Sequence, residues 1–529
     1  MRLGAALALA GAVGCASGPN VRVPPNSPFA SRTLGAYDAA LRHYVVAGDS
    51  TALATIVRSG TQDSLIRLLS GGLYLHRLGR YEESNAALQA AEALAEDRYT
   101  KSVSQNVAAF MVSDLVVDYT PPALERAMIH YYGMINYLAL GNLEEALVEA
   151  RRVNAYLDRY NRDNGNRRSY SNDALVQYLA GLLHWTGGDD NDALVSLRQA
   201  DAAFDAHRAR YRITPPDGFG QDLVRFADRV GVPEVADEAA ATYGVARTAA
   251  PAAVPTGELM VVVENGFIAH RMEEKIYIPI TRREKRALGS GSIDSVIGVT
   301  ANVLVRTLLF MNQTSAEARS YLREYEGLVV LGSTVLDADL FSFAWTRYEL
   351  DAHAATEVTV AIDGDAERGA TVVTDLSAIA SRDYEEQKPK FLARMIARGL
   401  FKQVAALKAE ATARERGGAV AGFLTRLGSQ AAATLSERAD TRSWSLLPAE
   451  LRVVRFSLPA GTHQVTLRVR EETGGLARVI DLGPVEIRPN RLAVRTAFVT
   501  GRSLGDLRRF RAATAQVNYE TPAVQKREP

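Results

Sequence analysis

Cysteine is almost absent from this chain. Cys15 is the single cysteine among 529 residues. One thiol cannot form an internal disulfide, so the composition excludes a disulfide-stabilised scaffold. Stability must therefore come from the burial of apolar side chains, which a chain of this length can supply.

Net charge and long apolar runs are also lacking. The 61 basic residues balance 61 acidic ones, so no whole-molecule field favours nucleic acid or an anionic surface. A helix that crosses a bilayer needs about 20 apolar residues in succession, and no stretch reaches that length without interruption. The best candidate, residues 293–311, contains Asp294, Asn302 and Arg306 and is predicted to be a buried or amphipathic helix.

Recognisable catalytic motifs are missing as well. The sequence has no phosphate-binding loop, no Gly-x-Ser-x-Gly motif and no His-Glu-x-x-His motif. The glycine-serine run at 289–292 lacks the lysine of a nucleotide loop, and no two of the eight histidines stand three to five residues apart. We therefore predict no cofactor, no metal site and no catalytic residue, and we do not expect an enzyme.

The N-terminus has the layout of a secretory leader. Residues 3–14 are small or apolar behind one positive charge, and Ala-Val-Gly directly precedes Cys15. This arrangement resembles the bacterial lipobox, with Ala12 in the place where leucine is usual. The resemblance implies cleavage before Cys15 and attachment of a diacylglycerol to its thiol, and an ordinary leader with an incidental cysteine is the alternative. By resemblance to enterobacterial sorting, Ala16 after the cysteine favours the outer membrane.

Changes in composition divide the rest of the chain. We predict a signal peptide at 1–14, the acylated cysteine and a flexible tether at 15–31, a helical domain at 32–246, an Ala/Pro linker at 247–256, a β-rich domain at 257–510 with a helical insert at about 381–438, and a disordered tail at 511–529. The linker is the clearest boundary, because helical periodicity gives way there to short alternating strands. The predicted fold class is α+β with several domains.

Three stretches of the helical region share one internal spacing. Each has a small or slim residue, a turn glycine seven residues later and a small residue five further on. These residues are Gly72, Gly79 and Ser84, then Met134, Gly141 and Ala146, then Gly181, Gly188 and Ala193. The spacing resembles the tetratricopeptide repeat, in which a glycine ends the first helix and small residues let two helices cross closely. We predict an α-solenoid of such repeats with a degenerate copy at 41–56, and a generic helical bundle is the alternative.

Short strands separated by turn signals indicate a small sandwich or open barrel after the linker. The predicted strands cover residues 258–264, 275–280, 357–362, 451–458, 463–470, 479–482 and 491–499. The insert has two amphipathic stretches, with Pro389 in the first helical turn and a break at Gly417-Gly418. Such a helical hairpin must pack against another part of the protein.

The insert also carries a regular charge pattern. Arg394, Arg398 and Lys402 recur every four residues opposite its apolar stripe. They form a candidate basic strip for lipid headgroups or an acidic partner. A solvated helix face is the simpler explanation, since such charge runs usually serve solubility.

The segment 440–448 (DTRSWSLLP) precedes a predicted strand. Its aspartate, arginine and tryptophan predict a local ion pair with an aromatic anchor rather than a catalytic group. Together with residues 459–463 (PAGTH) and 348–353 (YELDAH), it resembles an uncharacterised family of bacterial lipoproteins with tetratricopeptide-like repeats. The resemblance covers nearly the whole chain and implies an outer-membrane setting. Genes of that family often accompany lipoproteins related to curli-type secretion channels or to activators of peptidoglycan synthases, which implies an envelope assembly and no activity.

The leading hypothesis is a periplasm-facing outer-membrane lipoprotein that acts as a protein-binding scaffold in a cell-envelope assembly. The repeats would offer a concave groove to envelope proteins, the acyl chain would bind the membrane, and no nucleic-acid partner is expected. The alternatives are an envelope hydrolase or glycan-acting enzyme whose site forms only in the fold, and a lipid- or glycan-binding carrier. Perturbed carboxylates or a His–Ser pair in a cleft of residues 257–510 would favour the enzyme, and a wide apolar cavity would favour the carrier.

Overall fold

The computed structural model describes most of the chain. The described residues are 27, 35–48, 51–58, 63–104, 118–247, 254–290, 292–313, 339–351, 354–355, 357–436, 439–470 and 478–501. Within them, a helical N-terminal region precedes a region that contains the strands, which confirms the predicted mixed α+β class. Cys15, the predicted signal peptide, nearly all of the predicted tether and the predicted tail lie outside the described residues.

Ten helices form the N-terminal region as the structure describes it. They are α1 (Ala36–Ala47), α2 (Thr51–Arg58), α3 (Ser64–Arg77), α4 (Tyr81–Ser104), α5 (Ala123–Ala139), α6 (Leu143–Asp163), α7 (Ala174–Gly187), α8 (Asp190–Tyr211), α9 (Phe219–Val230) and α10 (Pro233–Tyr243). Consecutive helices contact each other as pairs, from α1–α2 to α9–α10.

A glycine in the left-handed conformation separates the two helices of each pair. Gly79, Gly141 and Gly188 have φ values of 73°, 76° and 90°, which a residue with a side chain rarely adopts. The amide after the glycine then donates to a carbonyl five residues back, as Asp189 does to His184 at 2.9 Å. The predicted turn glycines therefore end first helices, as the spacing indicated.

Residue sizes within the pairs compensate one another. A Cβ on Gly72 would lie 2.8 Å from Leu88, and one on Gly181 would lie 2.9 Å from the leucine sixteen residues later. At the equivalent positions of α5–α6, the large residue, Met134, lies on the first helix and the small one, Ala150, lies on the second. Both are buried. The predicted small residues of the second helices, Ser84, Ala146 and Ala193, are fully buried. Close approach of two helices is thus built into each of these pairs.

Two more pairs have a left-handed glycine after their first helix. In α1–α2 it is Gly48, which lies within 41–56, where a degenerate copy is predicted. In α9–α10 it is Gly231. The sequence analysis missed this last pair, because the residue seven positions before its glycine is Val224 and not a small or slim residue.

Ten strands follow among the described residues. They are β1 (Thr256–Asn265), β2 (His270–Ile280), β3 (Asp339–Glu349), β4 (Glu357–Ile362), β5 (Arg368–Gly369), β6 (Thr371–Asp375), β7 (Glu450–Pro459), β8 (Gly461–Arg470), β9 (Arg478–Ile487) and β10 (Leu492–Val499). They form sheets in the orders β10-β1-β7-β6, β5-β4-β8-β9 and β2-β3. β1 runs parallel to β10 and antiparallel to β7. The two larger sheets share an apolar cluster that includes Val261, Val360 and Leu467.

Three helices accompany these strands. They are α11 (Arg282–Gly289), α12 (Ile293–Gln313) and α13 (Leu376–Ser436). Together with β2 and β3 they bury a separate cluster around Trp345 and Leu392. α12 confirms the helix expected at 293–311. Among the described residues, no helix has both the length and the apolar character that crossing a membrane requires.

The insert differs from its predicted form at one end. α13 begins at Leu376, directly after β6, so Pro389 lies inside the helix and not in its first turn. The predicted break is confirmed, since Gly418 has φ 76° and ψ −172°, values that are essentially restricted to glycine. The sequence analysis also missed β3, β5 and β6, and β2 pairs with β3 in a sheet that does not contain β1.

The helices and the strands share one apolar core. Its buried residues include Tyr132 and Leu179 of the helices together with Met260, Val262 and Trp444 of the strand region. Residues 248–253 of the predicted linker lie outside the described residues, and its last residue already belongs to β1. The two regions therefore pack against each other, which the predicted linker gave no reason to expect.

Candidate functional site

The first helices of the pairs lie between two layers of structure. Residues 123–136 of α5 and 174–183 of α7 are buried without a break. The second helix α6 instead buries only the stripe Ala146, Glu149, Ala150, Val153 and Leu157, as a helix with one covered face does. α7 contacts β6 and β10 as well as α8. In this part of the chain, the first helices are therefore covered by the protein's own strands.

The return segment, residues 439–447, joins α13 to β7 and crosses the first helices. Arg42 of α1 and Arg77 of α3 donate to two of its backbone carbonyls at 2.9 and 3.0 Å. Glu125 of α5 accepts one of its backbone amides at 3.2 Å. Three first helices thus hold the backbone of one segment, much as they would hold a bound peptide.

Trp444 anchors the return segment. Its surface is 0% exposed, and its ring centroid lies 6.0 Å from that of Tyr132. Arg442 donates from Nε to Asp440 at 2.8 Å, and its Nη1 lies 3.7 Å from Asp63 at the start of α3. The predicted local ion pair and aromatic anchor are confirmed, and both act at the contact with the helical region.

A second buried contact ties the sheet to the helices. Arg455 of β7 donates to Asp222 of α9 and Tyr178 of α7, and at 2.8 Å to Glu258 of β1. Burial lowers the pKa of Arg455, but Asp222, Tyr178 and Glu258 outweigh it and hold the pKa well above its ordinary value. Removal of one partner would leave a buried charge unbalanced, so this cluster fixes how the sheet sits on the helices.

Several carboxyl groups at the same contact have perturbed pKa values. Burial raises the pKa of Asp38, Glu125 and Asp383. Asp38 and Glu125 hydrogen-bond to the return segment, and Asp383 of α13 accepts from Tyr160 of α6 at 2.8 Å. These carboxyl groups are hydrogen-bonded to neighbouring elements that pack around them, and they do not face an open cleft. Their environment therefore indicates a structural role.

An open cleft lies between α4, α5 and α6. Its volume of about 810 Å³ falls in the range of ordinary ligand sites. Asn85, His130 and Glu149 form its buried floor. Three exposed arginines of α6, at positions 152, 159 and 162, lie at its rim. The cleft therefore presents both acidic and basic groups.

The charges of the floor are paired with one another. His130 Nδ1 lies 2.7 Å from Glu149 Oε2, and Arg126 pairs with Glu92. A Cβ on Gly133 would lie 3.2 Å from Glu149, so this glycine leaves room for the carboxylate beside the imidazole. Among the described residues that line the cleft there is no serine, threonine or cysteine. The arrangement is suited to binding.

The basic strip predicted on the insert is interrupted. Arg394 is exposed and Lys402 is half-buried, but Arg398 exposes only 2% of its surface. α13 packs against α11, α12 and β3, and this packing covers part of the face that the charge pattern assigned to solvent. The three residues do not form one continuous cationic surface.

One set of potential metal ligands is brought together by the fold. His184, Asp189 and Asp192 place ligand atoms within 4.8 Å of one another at the α7–α8 turn. The sequence analysis looked for histidine pairs and so did not single them out. Asp189 Oδ1 already accepts the amide of Asp192 at 2.9 Å as the cap of α8, and both aspartates are exposed. This geometry is that of an ordinary helix start.

Comparison with known proteins gives no family for this chain. No protein-family model matches it, and no curated protein matches it. A solved structure that matches part of it is the crystal structure of BtubC (BKLC) from P. vanneervenii, at 17% identity and a TM-score of 0.25, over 41% of this chain and 79% of that chain. A similarity at that TM-score carries no argument about fold or function.

Proposed function

We propose that this chain is a lipid-anchored scaffold of the bacterial envelope, and that it binds a protein partner through the cleft between α4, α5 and α6. The helix pairs act as tetratricopeptide-like repeats, and the two larger sheets act as a β-sandwich-like support behind them. One observation carries the proposal. The protein's own strands and return segment cover the first helices, whereas the cleft remains open.

The chemistry of the cleft favours a polypeptide segment that carries both signs of charge. The side chains of Glu92 and Glu96 line the cleft and are 26% and 43% exposed, which suits a lysine or arginine of the partner. Arg159 and Arg162 at the rim suit a carboxylate of the same partner. The rings of Tyr137 and Tyr156 line the cleft between these charges and offer apolar contact. A purely apolar ligand would desolvate these charges without compensation, so a lipid carrier is disfavoured.

Photo-crosslinking in the native envelope tests the cleft. We expect a photoreactive residue in place of Gln89, at the exposed rim, to capture a reproducible envelope protein. Arg159→Glu should lower that yield by about tenfold or more, because about 1.4 kcal/mol of lost binding free energy is a factor of ten. A photoreactive residue in place of Arg198, exposed on α8, is the matched control. Identical captures from both positions, or a yield that Arg159→Glu leaves unchanged, would contradict the proposal.

Metabolic labelling with an alkyne fatty acid tests the anchor by itself. Its basis is the small-residue sequence before Cys15. We expect label on the natural chain and none on a Cys15→Ser variant, because the thiol is the acceptor. An unlabelled natural chain would rule out acylation and leave the cleft proposal untouched.

A further inference from the structure

α12 is apolar on two opposite faces. Its inner face, centred on Val299, is buried in the cluster with β2, β3 and α13. On the other side Ile293, Ile297 and Val305 expose 67%, 61% and 56% of their surface, and the exposed Ala301 lies between them. Residues four apart share one face of a helix. These four positions therefore form a stripe about 18 Å long at about 1.5 Å per residue.

The stripe is distinctive on this molecule. Among the described residues, the other large apolar side chains that are exposed come from six different segments of the chain, at Leu78, Leu140, Val195, Val254, Leu350 and Val479. Isolated exposed apolar residues are normal on protein surfaces. A continuous apolar stripe marks an interaction surface.

α11, which directly precedes α12 and packs against it, carries positive charge. Its basic residues are Arg282, Arg283, Lys285 and Arg286. Glu284 is the one acidic residue of α11, and both of its carboxylate oxygens accept from Arg306 of α12 at 2.9 Å. That contact neutralises the acid and joins the two helices. Between residues 282 and 306, five basic residues stand against two acidic ones, an excess of three on a chain whose total charge is zero.

We propose that the α11–α12 surface, formed by the exposed α12 stripe and the basic residues of α11, binds the surface of an anionic phospholipid membrane. The stripe enters the boundary between headgroups and acyl chains, and the arginines contact lipid phosphates. An anionic bilayer has negatively charged headgroups directly above an apolar acyl-chain region. The basic residues of α11 match the headgroups, and the α12 stripe matches the acyl chains.

This membrane contact goes beyond the proposed function and does not depend on acylation of Cys15. On an acylated protein, the α11–α12 surface would fix which side of the molecule faces the bilayer.

Vesicle co-sedimentation of the full chain with Cys15→Ser tests the surface without an acyl chain. We expect binding to vesicles of phosphatidylcholine with phosphatidylglycerol, little binding to phosphatidylcholine alone, and weaker binding at high salt because ions screen the arginines. Ile297→Asp and Arg282→Glu should each lower the partition coefficient by about tenfold or more. Val195→Asp, at an apolar residue on α8 that is 54% exposed, is the matched control and should bind normally.

Fluorescence gives a direct readout of insertion. The three native tryptophans, Trp185, Trp345 and Trp444, are buried. Ile297→Trp therefore adds an exposed reporter, whose emission should shift to the blue when vesicles with phosphatidylglycerol are added. Val195→Trp should show no such shift.

Absence of binding to the anionic vesicles overturns this proposal, as does binding that neither Ile297→Asp nor Arg282→Glu weakens. If sedimentation velocity reveals a dimer that Ile297→Asp abolishes, and the vesicles are not bound, the stripe is an interface between two copies and the membrane assignment is wrong. Fatty-acid labelling of Cys15 and crosslinking from the cleft are separate measurements. Failure of the vesicle test is therefore distinguishable from failure of the proposed function.

Discussion

At the scale of single residues, His76 of α3 lies where the helical region meets β1. Its Nδ1 is 2.6 Å from Asn136 Oδ1, and its Nε2 is 3.6 Å from Glu264. Burial lowers the pKa of His76 below its ordinary 6.5, and the nearby Glu264 opposes this only in part. The folded protein therefore favours the neutral ring.

We predict that His76 makes the free energy of unfolding depend on pH. As pH falls through 6.5 the unfolded chain gains a proton at this ring before the folded chain does, so the stability is full above that pH and declines below it. His76→Gln should reduce the decline by at most about 1.4 kcal/mol per pH unit. Urea unfolding between about pH 7 and pH 5 measures it.

His463 provides the control for this prediction. A hydrogen bond with Asp363 raises the pKa of His463, so its stabilising effect is present at low pH and is lost as pH rises through the raised value. His463→Gln should thus change the slope in the direction opposite to His76→Gln. Equal slopes in all three proteins would show that neither histidine contributes.

Expectations about single residues succeeded where the partner is near in sequence. Asp440 and Arg442 are two positions apart, and local geometry suffices to pair them. Arg398 was assigned to solvent because its charge repeats with the period of a helix. Its burial results from the packing of α13 among distant elements, and no local pattern records such packing.

At the scale of elements, the α7–α8 pair depends on one missing side chain. A Cβ on Gly181 would lie 2.9 Å from Leu197 and 3.1 Å from the carbonyl oxygen of Ala193. Both neighbours belong to α8, and the carbonyl oxygen is a backbone atom. The helices would have to separate to admit a methyl group, because protein interiors have no spare volume.

We predict that Gly181→Ala lowers the free energy of unfolding by about 1–3 kcal/mol, the usual cost of overpacking. Gly187→Ala in the same helix is the control, since its nearest neighbour outside the helix would be Leu143 at 3.5 Å, an ordinary contact. Chemical denaturation of the three proteins measures the difference. Equal losses for both variants would mean that helix packing at Gly181 is not the cause.

Most helices and strands were predictable because their signals are local. Turn glycines such as Gly141 and the Asp363-Gly364 turn mark where an element ends, and apolar periodicity distinguishes helix from strand. β3 was missed although its aromatic residues alternate with smaller ones from Phe341 to Trp345, because no clear turn signal bounds it and its partner strand ends 59 positions before it begins, at Ile280. β6 continues directly into α13 at Leu376, so no turn residue marks that boundary.

At the scale of the whole molecule, the shared core predicts how the protein unfolds. Apolar residues of α3, α5 and α7 lie in one cluster with Met260, Val262 and Trp444, so neither region can open without exposing the other. We expect helix loss by far-UV circular dichroism and Trp444 fluorescence, in a Trp185→Phe and Trp345→Phe background, to share one urea midpoint. Two separated transitions would instead indicate independent domains joined by the linker.

The sequence also could not show that the protein's own strands and return segment cover the first helices. Residues 72, 134 and 181 indicated how helices pair, but α5 and α7 have the same apolar sequence whether a partner or the protein's own sheet lies on them. The contacts that cover them join positions hundreds of residues apart, as Glu125 and Trp444 do. The cleft between α4, α5 and α6 combines residues 85–162 in a way that no spacing rule anticipated.

The bonds of Arg42 have a mechanical consequence. This arginine of α1 pairs with Asp351 and donates to carbonyl oxygens of the return segment and of residue 268 at 2.9 and 3.1 Å. α1 begins at Ala36, twenty-one positions after Cys15. If Cys15 is fixed in a bilayer while a partner pulls on the cleft, the load enters through α1 and passes at once into the sheets. The bonds of Arg42 to three separate parts of the strand region would then share that load.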